Sequence, residues 1–334
     1  MFSLIAAGCG DDGNHTVEKS GDESPPTTAL VNDSTTTEAP TTTQPATSST
    51  PRDPEPGNVG AEVGAEVGAA NVDELQRFLA VAPEDDGPFY MVNLVRFREA
   101  ADYADGRVSD LTGREADAIY TDWMRTERLP EIGAEIAYAG SVEDELIAGV
   151  SFDQVAVAKY PSRAAFAAMI PDPEFQAMQV HKQAGLADTV VLATTLLPTP
   201  SLPVIDAPFP ATDEDPPFAF VHVFDYRETA EYEPGDDDAD NSRSGADAVS
   251  LYSSNAGSVA LPLGVRSLAW FDVEAVILGP AGKWDEVRIN WFPSHATFDA
   301  LTSDPVWESG AHHRSAGLEE THAIRTLPLV NNLD

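Results

Sequence analysis

Three alternating runs carry the side chains that could do chemistry. In PFAFVHVFDYRE, beginning at Pro217, every second residue places Phe220, His222, Phe224 and Tyr226 on one face of a strand. In PFYMVNLVRFRE, beginning at Pro88, the same alternation groups Met91, Asn93, Val95 and Phe97. In DEVRINWF, beginning at Asp285, Arg288 and Asn290 share a face where DQVAVAKY, beginning at Asp153, has Ala156 and Ala158, followed by Tyr160. A buried guanidinium or amide needs hydrogen-bonding partners, so Arg288 and Asn290 imply either a wet edge or a polar ligand beside the sheet. As a binding site, these faces would let Tyr160, Phe220, Phe224, Tyr226 and Asn290 hold a partly aromatic ligand; as an enzyme, His222 or a helix histidine would be the base and Asn93 or Arg288 would steady an oxyanion. The plainer alternative is that each is a satisfied or rim-exposed residue at a strand end.

Two more histidines recur. His181 and His313 fall at the same place in two helical stretches, and His312 adjoins the latter. They are candidate ligand contacts, since a neutral imidazole can bind a metal or haem iron or act as a base. No HxxxH, HExxH or carboxylate-histidine spacing marks a metal site, so the sequence assigns none. No GxSxG occurs, and the run GAEVGAEVG from Gly60 lacks the strand-turn-helix context of a nucleotide loop.

The elements that must position these residues come twice. DQVAVAKYPSRAAF at 153–166 returns 132 positions on as DEVRINWFPSHATF. The match continues through Asp172-Pro173 and Asp304-Pro305, and through Gly185 and Gly317. Each copy reads β-α-β-β-α-β. In the first copy a helix is expected over 114–127, strands near 134–141, 144–149 and 153–160, and a last strand from Thr189. Ser162, Ser294, Asp172 and Asp304 are expected helix caps. The domain boundaries expected are 71–198, with a leading helix over 71–81, and 217–334, joined by a Pro-rich connector over 199–216.

Composition gives an address. The chain has 334 residues, 56 acidic against 19 basic, for a formal charge of −37. Such a balance argues against nucleic acid or anionic lipid as partners. Residues 10–70 are rich in Thr, Ser, Pro, Asp and Glu and poor in aliphatics, so they are expected to form a disordered tether. No segment has the 18 or more apolar residues of a membrane span.

The opening MFSLIAAGCGDDG, with the only cysteine at Cys9, resembles the lipobox of bacterial lipoproteins, over residues 1–9. That resemblance implies a lipidated Cys9, an extracytoplasmic protein anchored to the bacterial cell membrane through that lipid alone, and a true start upstream of Met1.

The strings MVNLVRF, DQVAVAKYPSRAAFAAM and DPEFQAM resemble the bacterial family called domain of unknown function 1330, of the dimeric α/β-barrel superfamily. The element order is the ferredoxin-like one. The resemblance implies an α+β fold in which two ferredoxin-like repeats pair inside one chain as a fused pseudo-dimeric barrel, a monomer whose bare sheet faces enclose a shared lumen. The residues above are expected to point into it. Haem-degrading monooxygenases are similar to the second copy in DEVRI, Phe298 and the helix after Ser303-Asp304, but Met169 and Leu301 stand where their Trp is expected. The function expected is therefore the binding of a small-molecule ligand with no cofactor; a monooxygenase or isomerase-type enzyme, with haem as the group it would imply, and a purely structural surface protein are the alternatives.

Overall fold

The computed structural model describes residues 71–146, 151–199, 205–236, 238, 242–280 and 283–333. The lipobox with Cys9, the tether over 10–70 and residues 200–204 of the connector lie outside them. None of the helices described is long and apolar enough to cross a membrane.

The chain opens with α1 (Val72–Leu79) and β1 (Phe89–Phe97), then α2 (Gly113–Trp123), whose last turns widen over Met124–Arg128 into the short α3 (Leu129–Glu131). There follow β2 (Glu135–Glu145), β3 (Gln154–Tyr160), α4 (Arg163–Met169), α5 (Pro173–Gly185) and β4 (Leu186–Leu197). The second half repeats the order with β5 (Phe218–Tyr226), α6 (Gly245–Ala260), β6 (Arg266–Leu278), β7 (Glu286–Phe292), α7 (His295–Thr302), α8 (Pro305–Gly317) and β8 (Leu318–Asn331). The strands expected over 134–141 and 144–149 run together as one strand, β2, which bends through register shifts at Ala139/Gly140 and Val142/Asp144 where it pairs with β8 instead of turning; residues 147–149 lie outside the described residues.

Local signals set the helix starts. Thr112 and Glu115 form a reciprocal capping box at α2. Ser162 and Ser294 accept from the backbone N–H three residues on, at 3.1 Å each. Asp172 and Asp304 cap α5 and α8 with proline at the first helical position, which is why the second helical segment of each half is split in two.

The strands close into one barrel, all neighbours antiparallel, in the order β1-β3-β2-β8-β5-β7-β6-β4. The β2–β8 and β4–β6 pairings join the halves, so neither half has a free sheet edge. An eight-stranded barrel is just wide enough for side chains to fill. Here Val92, Leu94, Val155, Val157, Val221, Val223, Val287 and Ile289 point inward in layers, with Tyr90, Tyr138 and Phe271. Most of them are wholly inaccessible. Tyr138 Oη lies 2.6 Å from Thr326 Oγ1, whose hydroxyl donates to the Ala219 carbonyl at 3.0 Å. Burial pushes the Tyr138 phenol up to about 12. One end of the interior is polar: His322 Nδ1 sits 3.4 Å from Glu145 Oε1 between Phe152 and Trp284, and Trp284 adopts φ +80°.

That filling overturns the expected workplace. Asn93, Tyr160, His222, Arg288 and Asn290 alternate with the inward set and therefore face the helices, outside the lumen. The pleat grouped them correctly. What the alternation could not fix was which of the two faces is enclosed, because both faces of these strands carry apolar residues.

Candidate functional site: a cationic cleft under the second pair of helices

On the outer face of the second half, β5 and β7 set His222 directly opposite Arg288. Arg288 Nη1 donates to Ser253 Oγ of α6 at 2.6 Å, and its Nε donates to Glu286. The same guanidinium lies 4.3 Å from the centre of the Trp270 ring and 5.2 Å from that of Phe224. Tyr226 Oη donates to Glu286 Oε2 at 2.7 Å, and burial drives its phenol pKa up. Glu286 is thus the counter-ion of Arg288. Asn290 accepts from Trp270 Nε1 at 3.2 Å.

His222 is the central side chain of this face. Its ring lies 4.5 Å from Phe220 and stacks at 5.4 Å on Phe224. It makes no hydrogen bond among the described residues and stays half-buried although its strand is central and covered. Burial, and then the charges of Arg314 and Arg288, hold its pKa well below the ordinary histidine value. It is a neutral imidazole with a donor and an acceptor unclaimed.

Arg314, from α8, completes the group. Among the described residues its one contact of hydrogen-bonding kind is Nη2 to Thr321 Oγ1 at 3.5 Å, and no carboxylate pairs with it there. Burial lowers its pKa, with the Tyr252 phenol opposing; a guanidinium stays charged regardless.

The first half shows what the same position looks like when balanced. There Asn93 takes the place of His222 and donates to the Met91 carbonyl at 3.1 Å. Ala156 takes the place of Arg288, Lys182 that of Arg314, and Asp117 that of Val249. Burial raises Asp117 to about 6 while Lys182 and Arg114 pull it back, and burial lowers Lys182 while Asp117 opposes. Lys182 has the buried Asp117 carboxylate near it without a direct ion pair, and Arg314 has no carboxylate in that place among the described residues.

The remaining sequence candidates divide. Tyr160 stacks on Phe89 at 5.2 Å, and Phe220 on Phe298 at 5.5 Å; both are helix-facing core. His181 and His313 are tied by Nδ1 to Tyr103 and Tyr232, at 2.8 Å each. Arg314, Ser253 and Glu286 were missed. Comparing the two copies position by position for charge, Lys182 against Arg314 and Asp117 against Val249, would have found the imbalance.

Haem, which the monooxygenase resemblance implies, needs an imidazole facing an open slot. His222 is flanked by the rings of Phe220 and Phe224, which leaves no room for a macrocycle over its imidazole, and His181 and His313 are engaged by Tyr103 and Tyr232. The residues do not fit haem.

No family model matches the chain, and no curated protein matches it. Among solved structures, a protein of unknown function from Rhodopseudomonas palustris is similar at 30% identity over 42% of this chain and 100% of that one, with a TM-score of 0.34. An anthrone oxidase-like protein is similar at 12% identity over 74% and 93%, with a TM-score of 0.43. A chlorite dismutase from Candidatus Nitrospira defluvii is similar at 12% identity over 77% and 97%, with a TM-score of 0.39.

Proposed function

We propose that the cationic cluster on the outer face of β5 and β7, beneath helices α6 and α8, binds a small organic anion, a carboxylate on an aromatic or apolar body. The observation that carries this is that no carboxylate pairs with Arg314 among the described residues, where the other half sets the buried Asp117 near Lys182. Withdrawing a guanidinium from water without a counter-charge is costly, and an anionic ligand would offset that cost with paired N–H···O bonds. His222 would add a neutral hydrogen bond, and Phe224 and Tyr226 an aromatic wall. On this reading the halves are duplicated ferredoxin-like units related to domain of unknown function 1330. The chain works as a monomer outside the cell, held to the membrane by a lipid on Cys9. The depressed pKa of His222 makes it a weak base, so binding is favoured over a monooxygenase or isomerase-type reaction.

The test is thermal denaturation with benzoate, phenylacetate and cinnamate, each against its neutral amide. A carboxylate at a hundred times its Kd should stabilise by about 2.7 kcal/mol, while its amide does little and Arg314→Gln loses the response. Equal stabilisation by acids and amides, an undiminished response in Arg314→Gln, or no stabilisation by any acid would overturn the reading.

A further inference from the structure

We propose that Asp238, His312 and His313 form a binding site for a divalent first-row transition ion, with Zn2+ as the type case. His312 Nε2 lies 3.6 Å and His313 Nε2 3.7 Å from Asp238 Oδ2, and one ligand atom from each residue falls within 4.8 Å of the others. A tetrahedral ion with ligands at about 2.0–2.1 Å sets them about 3.3–3.4 Å apart, so a small inward adjustment brings all three onto one ion. Two imidazoles and a carboxylate suit this class of metal, and three protein ligands leave an open position.

The outer contacts point the same way. Tyr232 Oη engages His313 Nδ1 at 2.8 Å, which leaves Nε2 as the free ring nitrogen facing Asp238. Arg243 Nη2 donates to Asp238 Oδ1 at 2.7 Å, while Oδ2 is the oxygen that faces the two histidines. The far atoms of His313 and Asp238 are thus each held by a neighbour, the arrangement that orients ligands in metal sites. Neighbouring residues on a helix ordinarily diverge, yet the rings of His312 and His313 approach to 4.0 Å between centroids. Two imidazolium ions would repel at that distance, whereas a shared cation accounts for it. Asp236 adds negative charge beside His313.

The first half provides an internal control. His181 makes the same bond to Tyr103, also at 2.8 Å, but Val180 stands where the second half has His312. The inference is independent of the anion cleft, since none of its three ligands lines that cleft.

The experiment titrates the full chain with Co2+, followed by visible absorption, then displaces it with Zn2+, with equilibrium dialysis counting ions. One equivalent of Co2+ should give d–d bands that Zn2+ removes. His312→Ala and Asp238→Asn should each weaken binding at least about ten-fold, Tyr232→Phe about ten-fold through lost ligand orientation, and His181→Ala not at all. If His312→Ala fails to fold, His312→Gln takes its place. Absence of d–d bands, or undiminished binding in the double variant His312→Gln/Asp238→Asn, means an adventitious ion only, held by the many surface carboxylates, and overturns the proposal.

Discussion

His295 Nε2 lies 2.8 Å from Glu143 Oε2, a contact that joins the first turn of α7 in the second half to β2 in the first. Its ring Nδ1 is held at 2.8 Å by Asp215, whose carboxylate also caps the start of α7. The twin position in the first half is Arg163, capped by Asp86 and reaching Glu274 on β6 of the second half. Each half therefore clasps the other's second strand. Burial pulls the His295 pKa down, but the bonds to Glu143 and Asp215 outweigh it and the net shift is upward, with Arg325 opposing. The stabilisation is complete below about pH 6.5, the unfolded value, and is lost as pH rises through the raised folded value. With these side chains about 30% exposed, it should amount to about 0.5–1 kcal/mol. Urea unfolding from pH 5.5 to 8.5 should show that loss in the wild type, and His295→Arg, copying Arg163, should remove it.

The helix pairs of both halves meet through glycine. A Cβ on Gly185 would lie 2.4 Å from the Gly113 carbonyl oxygen, and one on Gly317 2.5 Å from that of Gly245. Both glycines also accept a backbone bond, from Arg98 and Arg227 at 2.8 and 2.9 Å, so the chain cannot easily shift away. Gly185→Ala and Gly317→Ala should each cost about 1–3 kcal/mol from overpacking, read as urea midpoints. They should differ in binding. Gly317 lies three residues beyond Arg314, so its alanine variant should also weaken the anion, while Gly185→Ala should leave affinity unchanged.

How much of this the sequence held can be judged from particular residues. The duplication placed β1 opposite β5, and Ser162, Ser294, Asp172 and Asp304 cap as their types require, because capping is a local interaction of a few residues. The grouping of His222 with Phe224 and Tyr226 also follows from the pleat alone. Which way the group faces does not: enclosure depends on β2 pairing with β8 and β4 with β6, contacts between residues far apart in the chain. The nearness of Asp238 to His312 was hidden for the same reason, since about 70 residues of fold separate them. The charge imbalance at Arg314 was present in the text, as Val249 against Asp117, but meaningless until α6 and α8 were known to cover β5.

Because the barrel interior is filled, changes there should alter stability and leave binding alone. Ile289→Ala, at a wholly inaccessible position, should cost about 2–5 kcal/mol. Tyr138→Phe should cost only about 1 kcal/mol, since Thr326 keeps its bond to the Ala219 carbonyl. Carboxylate affinity should be unchanged in both once the loss of stability is corrected for, as measured by ligand titration well below the melting temperature. A drop in affinity from Tyr138→Phe would return the site to the lumen.

The sharpest prediction transplants a charge. Val249 is the position in the second half that carries Asp117 in the first, and its side chain is fully buried beside Phe224 and Leu318. An isolated buried aspartate there would be severely destabilising. Beside Arg314, however, the new carboxylate stands near a guanidinium as Asp117 stands near Lys182, so Val249→Asp should fold with a modest loss of stability. Its carboxylate would then occupy the place of the ligand's. Calorimetric titration with the carboxylate that stabilises the wild type should show affinity reduced at least ten-fold, and the double variant Val249→Asp/Arg314→Gln should be less stable than either single change, because the aspartate then stands alone. Affinity that survives Val249→Asp would mean that Arg314 already has its charge met elsewhere, and the cleft would lose its claim to an anion.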